Sequence, residues 1–182
     1  MAVVLFGKQG SGKTTIADIL VSKHGFKKIV TYTTRPIRNG EVDGVDYYFI
    51  SKDKFLKLVE AKFFLEFREY ETLVNGVSDI WYYGSPRWTI DDKQQTIILP
   101  PAAALSLSKK ENTLVYLDTP VRVSMERVLA RGDDPIEVAR RVLSDNKDFE
   151  CVDKNPSALD GVIVIRYYQN SEWAAEYIAE RV

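Results

Sequence analysis

The sequence predicts an α/β fold of three layers: a parallel central sheet with helices on both faces. Three observations predict it. Near the start, an apolar run at residues 3–6 meets a glycine-rich segment, and a helix-period segment at residues 14–24 follows with Ile16, Ile19 and Leu20 on one face. From residue 96 onward, short apolar runs alternate with amphipathic stretches, the pattern of strands joined by crossover helices. Between them, residues 34–85 break that alternation with two strand-like runs and one helix, which reads as a subdomain inserted into a single 182-residue domain.

The elements follow in order. Residues 28–32 read as a short strand and 33–46 as a polar connection. A strand is expected at 47–50, then a helix at 52–61 with Phe55, Leu58 and Val59 on one face. Residues 63–70 alternate like a strand, and 71–79, with the turn signal Asn75-Gly76, read as an exposed excursion. Pro86 is placed to open a helix. A buried strand at 96–99 ends at Pro100-Pro101, a weak helix covers 102–107, and an apolar strand covers 113–117. Helices at 120–129 and 136–149 flank a charged break at 131–135. A strand at 162–165 and a helix at 171–181 complete the chain.

Composition narrows the function. Hydrophobic residues make up 45% and charged residues 28%, ordinary values for a globular protein. A formal net charge of −1 gives no support for a general nucleic-acid-binding surface. One cysteine, Cys151, and one histidine, His24, exclude an intrachain disulfide and metal sites of the Cys/His type. His24, just before Gly25, reads as a cation at a helix C-terminus. No apolar run approaches the ~18 residues of a membrane span, and the first six residues lack the basic region of a signal peptide. The expectation is a protein of the reducing cytoplasm that engages small molecules rather than nucleic acid or membrane.

The segment Gly7-Lys8-Gln9-Gly10-Ser11-Gly12-Lys13-Thr14 fits G-x-x-x-x-G-K-[ST], the phosphate loop of P-loop nucleotide-binding folds. Its glycines let backbone N–H groups turn onto phosphate oxygens, and the helix that follows adds partial positive charge. Lys13 can reach the outer phosphates, and the Thr14 hydroxyl can ligate magnesium. Gly7, Gly10, Ser11, Gly12, Lys13, Thr14 and Thr15 are therefore candidate nucleotide-binding residues, with Mg2+ as the accompanying ion; the loop alone leaves GTPases, ATPases, kinases and motors open, and ATP as the nucleotide is what the resemblance below implies.

A second constellation resembles a known family. The run Thr33-Thr34-Arg35-Pro36-Ile37-Arg38-Asn39-Gly40-Glu41-Val42-Asp43-Gly44-Val45-Asp46-Tyr47-Tyr48-Phe49 is similar to a motif of the guanylate kinase family. Phe64-Leu65-Glu66 and Tyr82-Tyr83-Gly84-Ser85 follow in that family's order. The resemblance implies a P-loop kinase with a nucleoside-monophosphate-binding insertion at 34–85, a core at 1–33 and 86–182, and a helical lid at about 127–141. It implies ATP-dependent phosphorylation of a nucleoside monophosphate, GMP or dGMP first. Arg35 and Arg38, with Tyr47 and Tyr83, match its contacts to the acceptor phosphate. Two guanidinium groups three residues apart suit that dianion chemically as well. Glu66 matches the carboxylate that accepts guanine N1–H and N2–H, and Thr31 and Ser85 match hydroxyl contacts to the base. Arg127, Arg131 and Arg141 match lid arginines that join Lys13 in neutralising the transferring phosphoryl group; Arg140 aligns less well.

The chain also departs from the family. Two acids that the family carries after the third core strand, one helping to organise magnesium and another near the guanine, are absent: Pro100 and Pro101 occupy the place of the first and its neighbour, and Ala102 follows. Asp118 reads as a strand-end or helix-capping acid before Pro120, with a stand-in for the missing acid as the alternative. The segment 71–79 is additional, and the contacts to adenine are not assigned. Two alternatives stay open: a kinase for another nucleotide or a sugar phosphate, and a guanylate-kinase-like module that binds nucleotide or peptide without turnover. The intact Lys13 and Thr14 count against the second.

Overall fold

The computed structural model describes residues 1–74, 77–88, 94–166 and 170–182. The chain divides into two compact units, Met1–Lys28 with Ile90–Val182, and Ile29–Thr89.

The first unit is built on a five-stranded sheet in the order β2-β7-β1-β8-β9, from β1 (Ala2–Phe6), β2 (Lys27–Lys28), β7 (Gln95–Ile98), β8 (Asn112–Asp118) and β9 (Ile163–Arg166). Every pairing in it is parallel. β1 lies at its centre, and all five of its residues are buried, which is why it reads as an unbroken apolar run. Strand alternation sends Val3 and Leu5 to one face. There they meet Ile16 and Leu20 of α1 (Lys13–His24) and Ala174, Ala175 and Ile178 of α7 (Ser171–Ala179). Phe6, on the opposite face, stacks on Tyr116, and Tyr116 on Phe149. Each buried Leu or Phe contributes about 1.5–3 kcal/mol through removal from water.

The remaining helices are α3 (Pro101–Ser106), α4 (Val121–Ala130), α5 (Pro135–Asp148) and the short α6 (Glu150–Asp153). α5 begins as its sequence dictates: Asp134 caps the Glu137 N–H and Pro135 takes the first helical position. α1 ends on Gly25, whose N–H bonds the Leu20 carbonyl, with Lys23 and His24 in the last turn.

The second unit holds a mixed four-stranded sheet in the order β4-β3-β6-β5, from β3 (Thr31–Thr33), β4 (Tyr47–Phe49), β5 (Phe64–Val74) and β6 (Val77–Pro86). α2 (Lys52–Glu60) is capped by Ser51. The face carrying Tyr32, Phe64 and Tyr82 forms an aromatic cluster with Phe55 of α2. Gly84 is required there, because a Cβ would lie 2.8 Å from Phe64 and 2.9 Å from Phe55.

Three expectations need correction, and one short helix is additional. The strand expected at 28–32 is two strands, β2 in one sheet and β3 in the other; the apolar Ile29-Val30 between them is where the chain changes sheets. The excursion at 71–79 is a continuation of the β5–β6 ladder, from Glu71 opposite Ile80 to Val74 opposite Val77, while Asn75-Gly76 lies outside the described residues. Pro86 closes β6 rather than opening a helix, since it is the partner of Phe64 at the end of that ladder. α6 was not anticipated, being too short to show a period.

Candidate functional site

In the first unit, β1 delivers the chain into the loop Gly7–Gly12, and α1 starts at Lys13. Gly10 has φ +65°, and a Cβ there would lie 2.5 Å from the Ser124 carbonyl oxygen, so only glycine allows the loop to pass α4. No side chain caps the N-terminus of α1 and no acid lies in its first turn, so its first N–H groups remain for an anion. Thr14 and Thr15 are exposed in that turn. The Lys13 ammonium donates to the Gly7 carbonyl at 2.6 Å, the Lys8 carbonyl at 2.8 Å and Ser11 Oγ at 3.4 Å. Lys13 is half-buried, and its ammonium is surrounded by those three loop oxygens. That burial pushes its pKa down to about 8, against the opposing pull of Asp145.

Three helices touch this loop. Arg127 Nη1 of α4 donates to the Gly10 carbonyl at 3.3 Å. The Gln9 side chain donates to the Val138 carbonyl of α5 at 2.9 Å, and the Gln9 N–H donates to Asp145 Oδ2 at 2.6 Å. Lys8 pairs with Asp153 of α6 at 3.3 Å and lies over the Phe149 ring. Arg131 and Arg141 turn elsewhere: Arg131 grips Asp133 with two bonds, and Arg141 pairs with Glu137 at 2.9 Å and Asp133 at 3.7 Å. Arg140 grips the same Glu137. Apart from Arg131 these side chains are part-buried, and Glu137 and Asp133 each hold two of the arginines.

The fit to a magnesium–triphosphate is a fit to its phosphates. Among the described residues no group of three or more His, Cys, Asp or Glu could hold a metal ion. Pro100 and Pro101 serve to start α3. Asp118 ends β8 and pairs with its cross-strand neighbour Arg166 at 3.8 Å, which is the strand-end role. Thr14, exposed in the first turn of α1, offers a hydroxyl oxygen beside the loop, and magnesium keeps several of its waters where protein ligands are few.

In the second unit, strand register places the predicted acceptor residues. Thr31 pairs with Tyr47, Thr33 with Tyr83, and Ser85 with Glu66. Cross-strand partners share a face, so Thr31, Tyr47, Glu66, Tyr83 and Ser85 all lie on the face opposite the Phe55 cluster. A β-bulge between Phe64 and Glu66 makes this so; without it, Glu66 would oppose Gly84 and face the aromatic core.

Ser85 Oγ donates to Glu66 Oε1 at 2.6 Å, and Arg68 Nε lies 3.8 Å from Glu66 Oε2. Burial pushes the Glu66 carboxyl above its ordinary value, with Ser85 and Arg68 opposing. Arg35 is buried, its Nη2 donating to Glu41 Oε1 at 2.6 Å and its Nη1 to the Pro36 carbonyl at 2.7 Å. Its guanidinium lies beside the Tyr47 and Phe49 rings. Glu41 Oε2 accepts from the Arg38 N–H at 2.8 Å. Tyr47 and Tyr83 meet edge to face, and burial and then Tyr83 raise the Tyr47 pKa.

Sequence reasoning missed four contributors. Glu41 stood inside the quoted motif, and its spacing from Arg35 was the signal. Thr33, whose hydroxyl accepts from the Arg35 N–H at 3.1 Å, opens the same motif, while Arg68 and Asp145 carried no local signal.

Comparison with known proteins agrees with this geometry. A family model described as guanylate kinase matches residues 1–83. The chain is 36% identical over 159 residues to the guanylate kinase of Nitratidesulfovibrio vulgaris, covering 82% of this chain and 73% of that protein. It is 36% identical over 152 residues to that of Symbiobacterium thermophilum, covering 78% and 68%. The crystal structure of guanylate kinase from Anaplasma phagocytophilum superposes with a TM-score of 0.63 at 25% identity, covering 100% of this chain and 83% of that one. A shikimate kinase from Acinetobacter baumannii shares the fold, with a TM-score of 0.50 at 16% identity, covering 99% and 91%.

Proposed function

This chain belongs to the guanylate kinase family, and from that premise we propose that it transfers the γ-phosphoryl group of ATP to GMP, giving ADP and GDP. The observation that carries the choice of acceptor is the Glu66 carboxylate, bonded by Ser85 on the face of the second unit's sheet opposite Phe55. Guanine offers N1–H and N2–H side by side, and a carboxylate accepts both. Adenine offers an acceptor at N1 and would leave the carboxylate facing a lone pair, a mismatch of the kind that discriminates strongly.

In this reading, the amides of residues 7–15 and the Lys13 ammonium hold the donor phosphates. Magnesium, when bound with ATP through the Thr14 hydroxyl, phosphates and water, supplies charge neutralisation at those phosphates. Arg35 and Arg38, with Tyr47 and Tyr83, hold the acceptor phosphate. One of its oxygens attacks the γ-phosphorus as the bond to the β–γ bridging oxygen breaks. The acceptor phosphate is already anionic, so no general base is assigned. Arg127 is held at the loop through Gly10, and Arg131 and Arg141 neutralise the transferring group after exchanging their carboxylates for phosphate oxygens. Residues 34–85 serve as the acceptor-binding insertion, and 127–141 as the lid.

A cytoplasmic location is consistent with the chain's one cysteine. Among the described residues no helix is long and apolar enough to cross a membrane.

The test offers the purified protein Mg-ATP with GMP, dGMP, AMP, UMP, CMP and dTMP and follows ADP release. Turnover with the guanine nucleotides alone is expected. Turnover with a different acceptor overturns the base assignment. Binding of ATP without turnover of any acceptor overturns the kinase reading.

A further inference from the structure

Arg68 lies on the same sheet face as the proposed acceptor residues, and the reaction as described gives it no task. It stands two residues from Glu66 on β5, on the same side of the strand. Its cross-strand partner is Tyr83, so it occupies the rung between the Glu66–Ser85 pair and the Tyr70–Trp81 pair. Its Nε lies 3.8 Å from Glu66 Oε2, while Ser85 Oγ donates to the other carboxylate oxygen, Oε1. Across this face the order of groups is therefore hydroxyl, carboxylate oxygen, carboxylate oxygen, guanidinium.

Guanine presents three polar groups along one edge: the 2-amino donor, the N1–H donor and the 6-oxo acceptor. The carboxylate can take the two donors in either of two orientations, and the one that sets the 6-oxo oxygen beside the guanidinium gives that oxygen a donor, because the Ser85 hydroxyl proton is already donated to Oε1. A carbonyl oxygen desolvated without a donor would weaken binding substantially, and guanidinium N–H groups supply donors in a fixed plane. We propose that Arg68 is a specificity-determining residue for the acceptor base, donating to the 6-oxo oxygen of a 6-oxopurine monophosphate while Glu66 accepts from N1–H and the 2-amino group. This rests on the acceptor site assigned above. Arg68 also acts against adenine, whose 6-amino group sets donor against donor. Base choice is thus read by two side chains of opposite charge, positive at position 6 and negative at positions 1 and 2.

The experiment compares GMP with 6-thio-GMP, which keeps N1–H and the 2-amino group but replaces the oxygen with sulfur, a weaker acceptor. Kinetic constants and calorimetric Kd values are measured for the wild-type protein, Arg68→Ala and Arg68→Lys. Melting temperatures and ATP affinity confirm that each variant is folded with its phosphate loop intact. The wild-type protein should prefer GMP by about tenfold or more in kcat/KM. Arg68→Ala should lose roughly ten- to hundredfold on GMP, chiefly through KM, and less than about threefold on 6-thio-GMP, so the preference collapses toward one. Arg68→Lys, which keeps a donor, should restore part of it. If GMP and 6-thio-GMP fall by the same factor, or neither falls, Arg68 is only a structural partner of Glu66 and the inference is overturned while the guanylate kinase reading stands. If the wild-type protein neither binds nor turns over GMP, that reading falls and this inference with it.

Discussion

The Gln9 amide donates to the Asp145 carboxylate across 2.6 Å, joining residues 136 apart in the chain. The phosphate loop thus carries an internal carboxylate on one of its own N–H groups. Burial pushes the Asp145 pKa up, and the Gln9 N–H and the Lys13 ammonium pull it back only in part.

Asp145→Asn keeps an acceptor for Gln9 but removes the charge. Two unit charges roughly 10 Å apart at an effective dielectric constant of about 20 interact by about 1–2 kcal/mol. The variant should bind ATP about tenfold more tightly near neutral pH, as read by calorimetry; an unchanged Kd would show that Asp145 and the triphosphate do not compete. Stability should shift too. A carboxyl whose folded pKa is raised binds its proton more tightly in the native state, so ionising it costs native stability. Wild-type stability should therefore fall as pH rises from the ordinary aspartate value through the raised one, and Asp145→Asn should lack that component.

Lys13, with its pKa near 8, should lose its proton in the free protein at mildly alkaline pH. Binding of an anionic triphosphate favours the ammonium, so ATP binding near pH 8 should take up protons, and affinity should drop above that pH. Calorimetry in buffers of different ionisation enthalpy measures the uptake. Lys13→Met should abolish the inflection and lower turnover at least about a hundredfold, the scale of losing a preorganised charge at the transferring group.

Glu41 positions Arg35. Removing it leaves a buried guanidinium with one partner fewer, so Glu41→Ala should destabilise the protein by about 2–3 kcal/mol in denaturant unfolding and raise the KM for GMP. Burial alone would raise the Glu41 pKa, but the Arg35 guanidinium and the Arg38 N–H together hold it below its ordinary value. The pair's contribution should be complete above the ordinary glutamate pKa and disappear as pH falls through the depressed one. Equal acid stability of the wild type and Glu41→Gln would contradict this.

Glu66→Gln should lower kcat/KM for GMP at least tenfold, because one carboxylate oxygen becomes a donor facing a donor. Burial raises the Glu66 pKa, so GMP use by the wild type should begin to fall at a higher pH than an exposed glutamate would give. A pH profile that stays flat down to the ordinary glutamate value would remove Glu66 from the base site.

Much of the first unit was legible because its signals are local. Val3 to Phe6 reads as a buried strand since all of it is interior, and the loop and helix after it depend on glycines and a period within one stretch. Asp134 and Pro135 mark the start of α5 for the same reason. The hairpin β5–β6 was harder. Glu71 to Asp79 is polar enough to resemble a loop, yet the ladder continues because each strand satisfies the other's backbone. The strand at 28–32 was misjoined because sheet membership depends on partners far along the chain.

Short-range signals specify the phosphate loop, the parallel character of the core sheet and the residue types proposed for both binding sets, since backbone conformation, periodicity and side-chain chemistry are properties of short segments. Tertiary structure alone decided which way those residues face and what holds them. The bulge before Glu66 turns it away from the aromatic core, Glu41 holds Arg35, and Asp145 reaches Gln9. Those outcomes depend on strand register and helix docking, in which a shift of one residue exchanges the two faces of a strand, and no local pattern records that choice.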